Sequence, residues 1–426
     1  MQLIAYGAAD VFLTGSPEIT FFKSVFKRYT NFSIEYIDLA FETLPTFNTI
    51  NSKEVTCMID RNADLLSEVY VVFQLPTIRS PRNLNFKWIK NLGINLIEEI
   101  SIFIGGQLID RHCNHHLNFI EELRGNLKSQ EAYNYIIGNT PDLYNPHIDE
   151  REECYVIKGR KLFIPLKFWF CLNDGLSLPL IALQYVETEI RVKFRPINQL
   201  FTIGFDNISP SKYISLNNDF ALITGFDELI YGNWNQDAHI LAKYIYLDEK
   251  ERKLFANNTH EYIVPQIQYE TFGGIKEGPN IIELNLYLPV KMIQWAFVDQ
   301  SVIIDNNKHL NYLDVLKDAT LLINGHERTQ KLEGDFFSSV IQYKYFRGFN
   351  PGIYTYIFCI DPLSVKPTGT SNFSRMNNIE LHLTVDFDKT ITNINKDEKL
   401  DVHIISTNYN VLRIMNGLAG MVFNGT

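Results

Sequence analysis

Apolar and basic residues alternate along residues 190–195, in the order Ile, Arg, Val, Lys, Phe, Arg. A strand has a side-chain period of two, so this segment is predicted to be a strand with one buried and one solvated face. The run at residues 162–171 is apolar nearly throughout, which is typical of a strand buried on both faces. A mostly apolar crossing that contains Gly175 and Pro179 joins the two runs. The pattern indicates a sheet-rich core with a buried corner and no catalytic loop.

The same arrangement returns in the second half of the chain. The apolar run at residues 354–360 is followed by a segment rich in Pro, Gly, Ser and Thr, and then by the alternating run at residues 380–388. Upstream of each copy, two strand-like runs flank a Gly-Gly or Asn-Gly turn, at residues 100–112 and 320–331, and such turns are strong hairpin signals. We therefore predict two similar β domains in tandem.

The N-terminal segment carries a helix pattern. Ser16 suits the cap, Pro17 the first helical position, and Glu18 the positive end of the helix dipole. An apolar stripe follows at helical spacing, formed by Phe22, Val25, Phe26 and Tyr29. Two interpretations stay open: an arm that docks onto a neighbour or an inner layer, and a helix packed on its own domain.

A charged run marks the predicted boundary between the domains. Residues 241–247 alternate as a last strand, Asp248 is a plausible helix cap, and Glu249 with Lys253 makes a favourable pair one helical turn apart. The predicted division is an N-terminal arm with a short helix, a first domain, a connecting helix and a second domain, at residues 1–30, 31–248, 249–258 and 259–426.

The remaining segments have weaker hydrophobic periodicity. A helix is expected at residues 116–124, stopped by Gly125. Residues 126–160 and 196–240 show no clear period and are interpreted as long loops. Residues 408–423 fit helix and strand periods about equally, and a final strand is favoured.

Composition narrows the class of protein. A chain of 426 residues is long enough for two or three domains with their own cores. The net charge of -10 argues against direct binding to nucleic acid, which needs a basic surface. Five cysteines without paired spacing indicate a reducing compartment and no disulfide framework. With no signal-peptide pattern and no apolar run near the ~20 residues of a membrane span, we expect a soluble protein.

Catalytic and metal-binding motifs are scarce. His260 and Glu261 begin a zinc-protease pattern, but Val264 stands where the second histidine is required. A denser group of possible metal ligands is predicted to form a strand-to-helix turn, with zinc binding as the alternative: His112, Cys113, His115 and His116. No phosphate-binding glycine loop is present in the sequence. We expect no enzyme activity, no cofactor and no metal.

Six segments in order along the chain resemble the major capsid proteins of nucleocytoplasmic large DNA viruses. They lie at residues 13–33, 102–112, 175–187, 244–256, 367–375 and 408–417. One departure is Ser371, where the family commonly has a cysteine. The resemblance implies an all-β fold of two tandem eight-stranded antiparallel jelly rolls, with a short N-terminal helical arm and short connecting helices.

The resemblance also implies a function in assembly. The expected role is a virion protein that forms homotrimeric, pseudo-hexagonal capsomers in an icosahedral shell, assembled in the host cytoplasm. Expected partners are neighbouring capsomers, minor capsid proteins and an inner membrane layer. Alternatives are a scaffold or minor capsid protein of the same fold, and a carbohydrate-binding jelly roll for host attachment.

The residues expected to matter are structural. The arm should be seated by Pro17, Phe21 and Phe22, and the first-domain hairpin made by Gly105 and Gly106. The buried corner and its counterpart in the second domain should be shaped by Pro179, Leu180, Asn372, Phe373 and Arg375.

Overall fold

The computed structural model describes residues 7–43, 45, 52–81, 85–125, 127–149, 154–204, 238–300, 309–328, 330–389 and 399–423. The strands of its first half are β1 (Phe32–Ala40), β2 (Lys53–Met58), β3 (Leu65–Gln74), β4 (Ile78–Pro81), β5 (Asn85–Trp88), β6 (Ile97–Ile104), β7 (Gln107–Cys113), β8 (Ile148–Asp149), β9 (Cys154–Ile157), β10 (Lys161–Pro165), β11 (Leu178–Pro179), β12 (Thr188–Phe194), β13 (Phe201–Gly204) and β14 (Ala238–Leu247).

The strands of the second half continue the numbering. They are β15 (His260–Ile275), β16 (Gly278–Glu283), β17 (Pro289–Asp299), β18 (Leu316–Ile323), β19 (His326–Glu327), β20 (Leu332–Glu333), β21 (Ile353–Ile357), β22 (Ser371–Asn372), β23 (Ile379–Val385), β24 (Leu400–Met415) and β25 (Leu418–Met421). The α-helices are Ala8–Thr14, Leu92–Leu96, Asn114–Arg124, Leu127–Ile137, Pro141–Tyr144, Trp169–Leu172, Glu249–Asn257 and Ile341–Tyr345.

Each half folds as a sandwich of two antiparallel sheets with the same topology. The first half has the sheets β1-β14-β3-β10 and β2-β12-β6-β7, and the second half has β15-β24-β17-β21 and β16-β23-β18-β19. Counting the eight principal strands of each half in chain order, both halves read 1-8-3-6 and 2-7-4-5. The predicted double jelly roll is therefore confirmed.

Each sandwich encloses its own apolar core. In the first, alternate residues from both sheets meet, among them Val71 of β3 and Ile190 of β12. In the second, Trp295 of β17 and Leu381 of β23 do the same. The alternation predicted at residues 190–195 is confirmed, because residues along β12 alternate between buried and half-buried positions. Its apolar side chains supply the core and its basic ones face outward.

Two predictions about the first jelly roll are wrong. Residues 162–171 are not one strand: β10 ends at Pro165, which has no N–H for the ladder, and a short helix, Trp169–Leu172, follows. Residues 126–160 are not a loop, since they hold the helices Leu127–Ile137 and Pro141–Tyr144.

The helix Leu127–Ile137 had a readable signal in its second half. Tyr133, Ile136 and Ile137 lie at positions i, i+3 and i+4, and they pack with Ile94 and Leu117. Because the surrounding residues are mostly polar, this short apolar stripe did not stand out as a helical period in the sequence. Of the other predicted loop, residues 205–237 lie outside the described residues.

The predicted N-terminal helix is displaced. The helix is Ala8–Thr14, and Ser16, the predicted cap, follows it with a left-handed φ of 52°. The stripe from Phe22 to Tyr29 has no helical turn. A short helix is marginal unless its apolar face is packed, and here the stripe has no packing partner within the described chain. Among the described residues, no helix is long and apolar enough to cross a membrane.

Candidate assembly surfaces and the joint between the jelly rolls

The described part of the N-terminal arm, residues 7–30, is exposed along its whole length. Phe22 is 99% exposed, and Phe21 and Phe12 are nearly as open. Pro17 is also exposed. Aromatic contacts in the arm are local, such as the edge-to-face approach of Phe26 and Tyr29 with ring centroids 6.3 Å apart. Monomeric proteins rarely expose contiguous apolar surface of this kind, so the arm has the character of an interaction segment.

The exposed apolar surface continues onto the first strand. Phe32, Ile34 and Tyr36 alternate along β1, so they share one face, and all three are exposed. Within the described residues β1 pairs with β14 alone, which leaves the other edge of β1 open. The exposed apolar side chains of the arm and of β1, which we call the apolar band, therefore lie next to an unpaired sheet edge.

The glycine hairpin lies between β6 and β7. Gly105 and Gly106 have φ values of 59° and 77°, in the left-handed region that favours glycine. The Gly105 N–H donates to the carbonyl of Glu187 at 2.8 Å, and Val186 packs closely against the turn. The glycine turn therefore packs on residues 186–187, which follow the buried corner in sequence.

The two predicted corners occupy equivalent places in the two jelly rolls. Pro179 lies in β11, which pairs with β3, and Asn372 lies in β22, which pairs with β17; β3 and β17 are both third principal strands. A single 3₁₀ turn follows each one, at Leu180–Ala182 and Phe373–Arg375. Leu180 and Phe373 are each 1% exposed, while Arg375 is exposed. The Asn372 side chain accepts the N–H of Ser374 at 3.1 Å, which fixes the second turn.

The two jelly rolls meet at a buried joint. Helix Asn114–Arg124 of the first roll packs on strands β17, β21 and β24 of the second. Phe119 is fully buried there, and its ring approaches Tyr312 edge-on with centroids 5.1 Å apart. The joint is a small hydrophobic core shared by both rolls, so we expect it to hold them as one body.

Stacked histidines lie beside that core. His115 of the first roll and His403 of the second have ring centroids 3.9 Å apart and nearly parallel planes. The Tyr269 hydroxyl lies 2.7 Å from His403 Nδ1, and the Tyr312 hydroxyl lies 3.3 Å from His115 Nδ1. The stack therefore joins one histidine from each jelly roll, and both tyrosine partners come from the second roll.

Burial keeps these histidines neutral. It lowers the pKa of His403 to about 4 and that of His115 well below its usual range, where the neighbouring His403 and the buried Arg195 add to the effect. His309, whose Nε2 lies 3.1 Å from the Gln199 carbonyl, has its pKa lowered to about 3 by burial and by Arg195. The joint thus contains three imidazoles that resist protonation.

The predicted ligand group does not converge on a point. His112 Nε2 pairs with the Asp110 carboxylate at 2.8 Å, the His116 ring packs against His112 at a tilt of 52°, and His115 faces the second roll. Burial raises the pKa of the Cys113 thiol to about 12. These residues form the strand-to-helix turn from β7 into helix Asn114–Arg124. Among described residues, three possible ligands come together only elsewhere, at exposed and half-buried positions: Glu277, Asp386 and Asp388.

The connecting helix Glu249–Asn257 is tied to the first jelly roll. Asp248 caps it by accepting the Glu251 N–H at 2.8 Å, and Lys253 pairs with Glu249 at 2.6 Å. Arg252 reaches back to the buried Asp64 carboxylate at 2.9 Å. Asp64 also accepts the Leu247 N–H at 2.9 Å, so one carboxylate holds both the end of β14 and the helix.

Sequence reasoning missed Asp64 and His403. Asp64 gives no local signal, because its partners lie far along the chain. His403 lies in β24, where residues 402–410 are buried on both faces although several are polar. Burial on both faces indicates that the strand also packs against a part of the structure outside its own sandwich. That signal was present in the C-terminal sequence.

Two family models match successive parts of the chain. A family model described as "Major capsid protein N-terminus" matches residues 20–248, and one described as "Large eukaryotic DNA virus major capsid protein" matches residues 251–420. The chain is 32% identical to a major capsid protein of Pyramimonas orientalis virus, covering 100% of this chain and 98% of the relative. It is 30% identical to a major capsid protein of Paramecium bursaria Chlorella virus 1, covering 99% and 98%. The crystal structure of PBCV-1 VP54 superposes with a TM-score of 0.76 at 26% identity, covering 95% of this chain and 100% of that one.

Proposed function

Since this chain belongs to the major capsid protein family of large eukaryotic DNA viruses, we propose that three copies form a pseudo-hexagonal capsomer that tiles an icosahedral shell. The chain is a structural protein of the virion capsid. The role we infer is assembly without catalysis.

The repeated strand order supports this proposal most directly. Two sandwiches with the same topology lie in one chain and share a buried joint. Three such chains around a cyclic axis present six similar lobes, and an approximately hexagonal outline allows close packing in flat facets. We propose the division into an arm, a first roll, a connecting helix and a second roll at residues 1–30, 31–248, 249–258 and 259–426.

The apolar band of the arm and β1 is the proposed contact with other molecules. Its side chains are exposed in the single chain, and burying each large apolar one would contribute about 1.5–3 kcal/mol. We propose that Pro17, Phe21 and Phe22 seat the arm on neighbouring capsomers, on minor capsid proteins or on an inner membrane layer, during assembly in the host cytoplasm.

The remaining structural residues keep the two sandwiches in shape. We propose that Gly105 and Gly106 set the first hairpin. The equivalent corners would be set by Pro179, Leu180, Asn372, Phe373 and Arg375.

The native mass of the purified chain tests the trimer. Light scattering after size exclusion should give about 148 kDa, three chains of 49.4 kDa, and that mass should not change on dilution. A monomer at all concentrations would contradict a self-sufficient trimer. It would favour a minor capsid or attachment role, and mass spectrometry of purified virions would then measure the copy number.

A further inference from the structure

A cavity of about 70 Å³ lies at the joint, between helix Asn114–Arg124 of the first jelly roll and strands β15, β17 and β24 of the second. We call it the joint cavity. Residues 362–365 form one of its walls, and three of those four residues are half-exposed, so the cavity lies directly below the surface. Its position means that any occupant would touch both jelly rolls.

Three cationic side chains line the joint cavity. Lys167 forms an ion pair with Glu121. Lys291 is only 6% exposed, and its ammonium donates a hydrogen bond to the Ser364 carbonyl at 3.1 Å. Over the residues that the structure describes, neither Lys291 nor Arg124 forms an ion pair with a carboxylate. Arg124 is half-buried, and the Glu121 carboxylate partly offsets the lowering of its pKa by burial. Lys291 is buried without an ion pair, which is costly for a cation.

The pKa of Lys291 also reflects a buried positive charge that is not fully compensated. Burial lowers the pKa of Lys291, and the positive charge of Arg124 adds to that lowering, while Cys359 and Asp361 act in the opposite direction. An anion placed between Lys291 and Arg124 would offset both the burial and the repulsion.

Hydrogen-bonding atoms without partners belong to the same cavity wall. Within the described chain, four buried side-chain atoms on lining residues have no hydrogen-bond partner: His112 Nδ1, His116 Nδ1, Thr407 Oγ1 and Tyr409 Oη. The Lys291 ammonium lies 5.6 Å from the centre of the Tyr409 ring, so the hydroxyl and the ammonium belong to one neighbourhood. Buried polar groups are normally paired, so these four atoms could donate to or accept from a small molecule or water in the cavity.

The rest of the lining is mostly apolar, including Phe119, Ile267, Met292 and Phe346. An apolar wall does not suit phosphate, which needs donors on all sides. The volume is several times the ~10–15 Å³ that one water needs and about half of a cavity that holds benzene. The occupant therefore has only a few heavy atoms, with one anionic end and one apolar end.

We propose that the joint cavity binds a short aliphatic carboxylate that bridges the two jelly rolls. Its oxygens accept hydrogen bonds from Lys291, Tyr409 and Thr407 near the Arg124 charge, and its chain packs against Phe119. A bound carboxylate then stabilises the joint by linkage, because only the folded chain offers the complete site.

Thermal unfolding of the full chain with sodium propionate tests this proposal. The unfolding temperature should rise with propionate and level off at saturation, whereas equal concentrations of propionamide or sodium chloride should leave it unchanged. Titration calorimetry with propionate should give a single site per chain. Tyr409→Phe, which removes only the hydroxyl, should weaken propionate binding by about threefold to tenfold.

Lys291→Met keeps the length of the side chain and removes its charge, so its response to propionate should be lost even if its basal stability changes. Lys250→Met, on the exposed face of the connecting helix, is the matched control and should respond as the parent chain does. An unchanged response in Lys291→Met would overturn the proposal. A shift with inorganic phosphate or chloride but none with propionate would overturn it as well.

Discussion

The joint and the N-terminal arm place the same kind of side chain in opposite surroundings. Phe119 at the joint is fully buried between two jelly rolls, whereas Phe22 in the arm is 99% exposed. Burial of such a side chain contributes about 1.5–3 kcal/mol. At the joint that contribution is made when the chain folds, and in the arm it is available only when another molecule covers it. Under the proposed function, building the capsomer and joining capsomers would thus depend on different parts of one chain.

The two regions also differ in polar chemistry. At the joint, His115, His309 and His403 are kept neutral by burial, so the joint is sensitive to acid. In the arm, residues 7–30 contain no histidine, and the basic residues Lys23, Lys27 and Arg28 are exposed. Conditions that loosen the joint should therefore leave the arm unchanged.

The largest expected effect comes from removing packing at the joint. Phe119→Ala should lower the free energy of unfolding by about 3–5 kcal/mol, because it leaves a cavity in the shared core. Denaturant unfolding followed by tryptophan fluorescence measures it. The matched control is Phe22→Ala, which should change stability by less than about 0.5 kcal/mol. Equal losses in both variants would mean that the arm is packed on its own chain.

The second-largest effect is expected from acid, which should lower the free energy of unfolding through the histidines of the joint. Below pH 6.5 the unfolded chain protonates His115, His309 and His403, while the folded chain does not until about pH 4 for His403 and about pH 3 for His309. The unfolded state binds more protons in that window, so the free energy of unfolding falls as pH falls, by up to about 1.4 kcal/mol per pH unit for each histidine.

Unfolding measured between pH 6.5 and 5 separates this effect from the titration of ordinary carboxylates at lower pH. His403→Gln should reduce the slope of stability against pH, and His326→Gln on an exposed hairpin should not. Parallel slopes in the parent chain and His403→Gln would rule out the histidine stack as the source.

A smaller effect is expected at the connecting helix. Asp248→Ala removes the cap on the Glu251 N–H and should cost about 1 kcal/mol. Lys253→Ala removes an exposed ion pair of the same helix and should cost about 0.5 kcal/mol or less. Thermal unfolding of both variants measures the difference, and the opposite order would show that the helix is held by its surface charges.

Local pattern predicted those parts of the fold that depend on neighbours in sequence. The alternation along β12, the glycine turn after β6 and the cap at Asp248 are all readable within a few residues. The order of segments then supplied the family and the double jelly roll. The arm helix was misplaced because an apolar stripe predicts a helix only if something packs on it.

The joint needed contacts that no local pattern contains. His115 and His403 are separated by most of the chain, and their stacking depends on how the second sandwich docks on the first. Lys291 and Tyr409 in the joint cavity meet because β17 and β24, which are distant in sequence, pair within one sheet of the second sandwich. The sequence shows which polar residues lie in these segments, but only the fold shows that they come into contact.

The smallest effect on stability is expected where the effect on assembly is largest. Phe22→Asp places a charge on a residue that is already fully solvated, so circular dichroism should show the sheets intact and the unfolding temperature nearly unchanged. Assembly into larger particles, followed by light scattering, should be impaired, since a buried carboxylate would oppose docking of the arm. Ser24→Asp adds the same single negative charge at a nearby exposed position, so it controls for charge and should assemble more normally. Loss of sheet signal in Phe22→Asp would show instead that the arm belongs to the folded core, and the division between building and joining tiles would then fail.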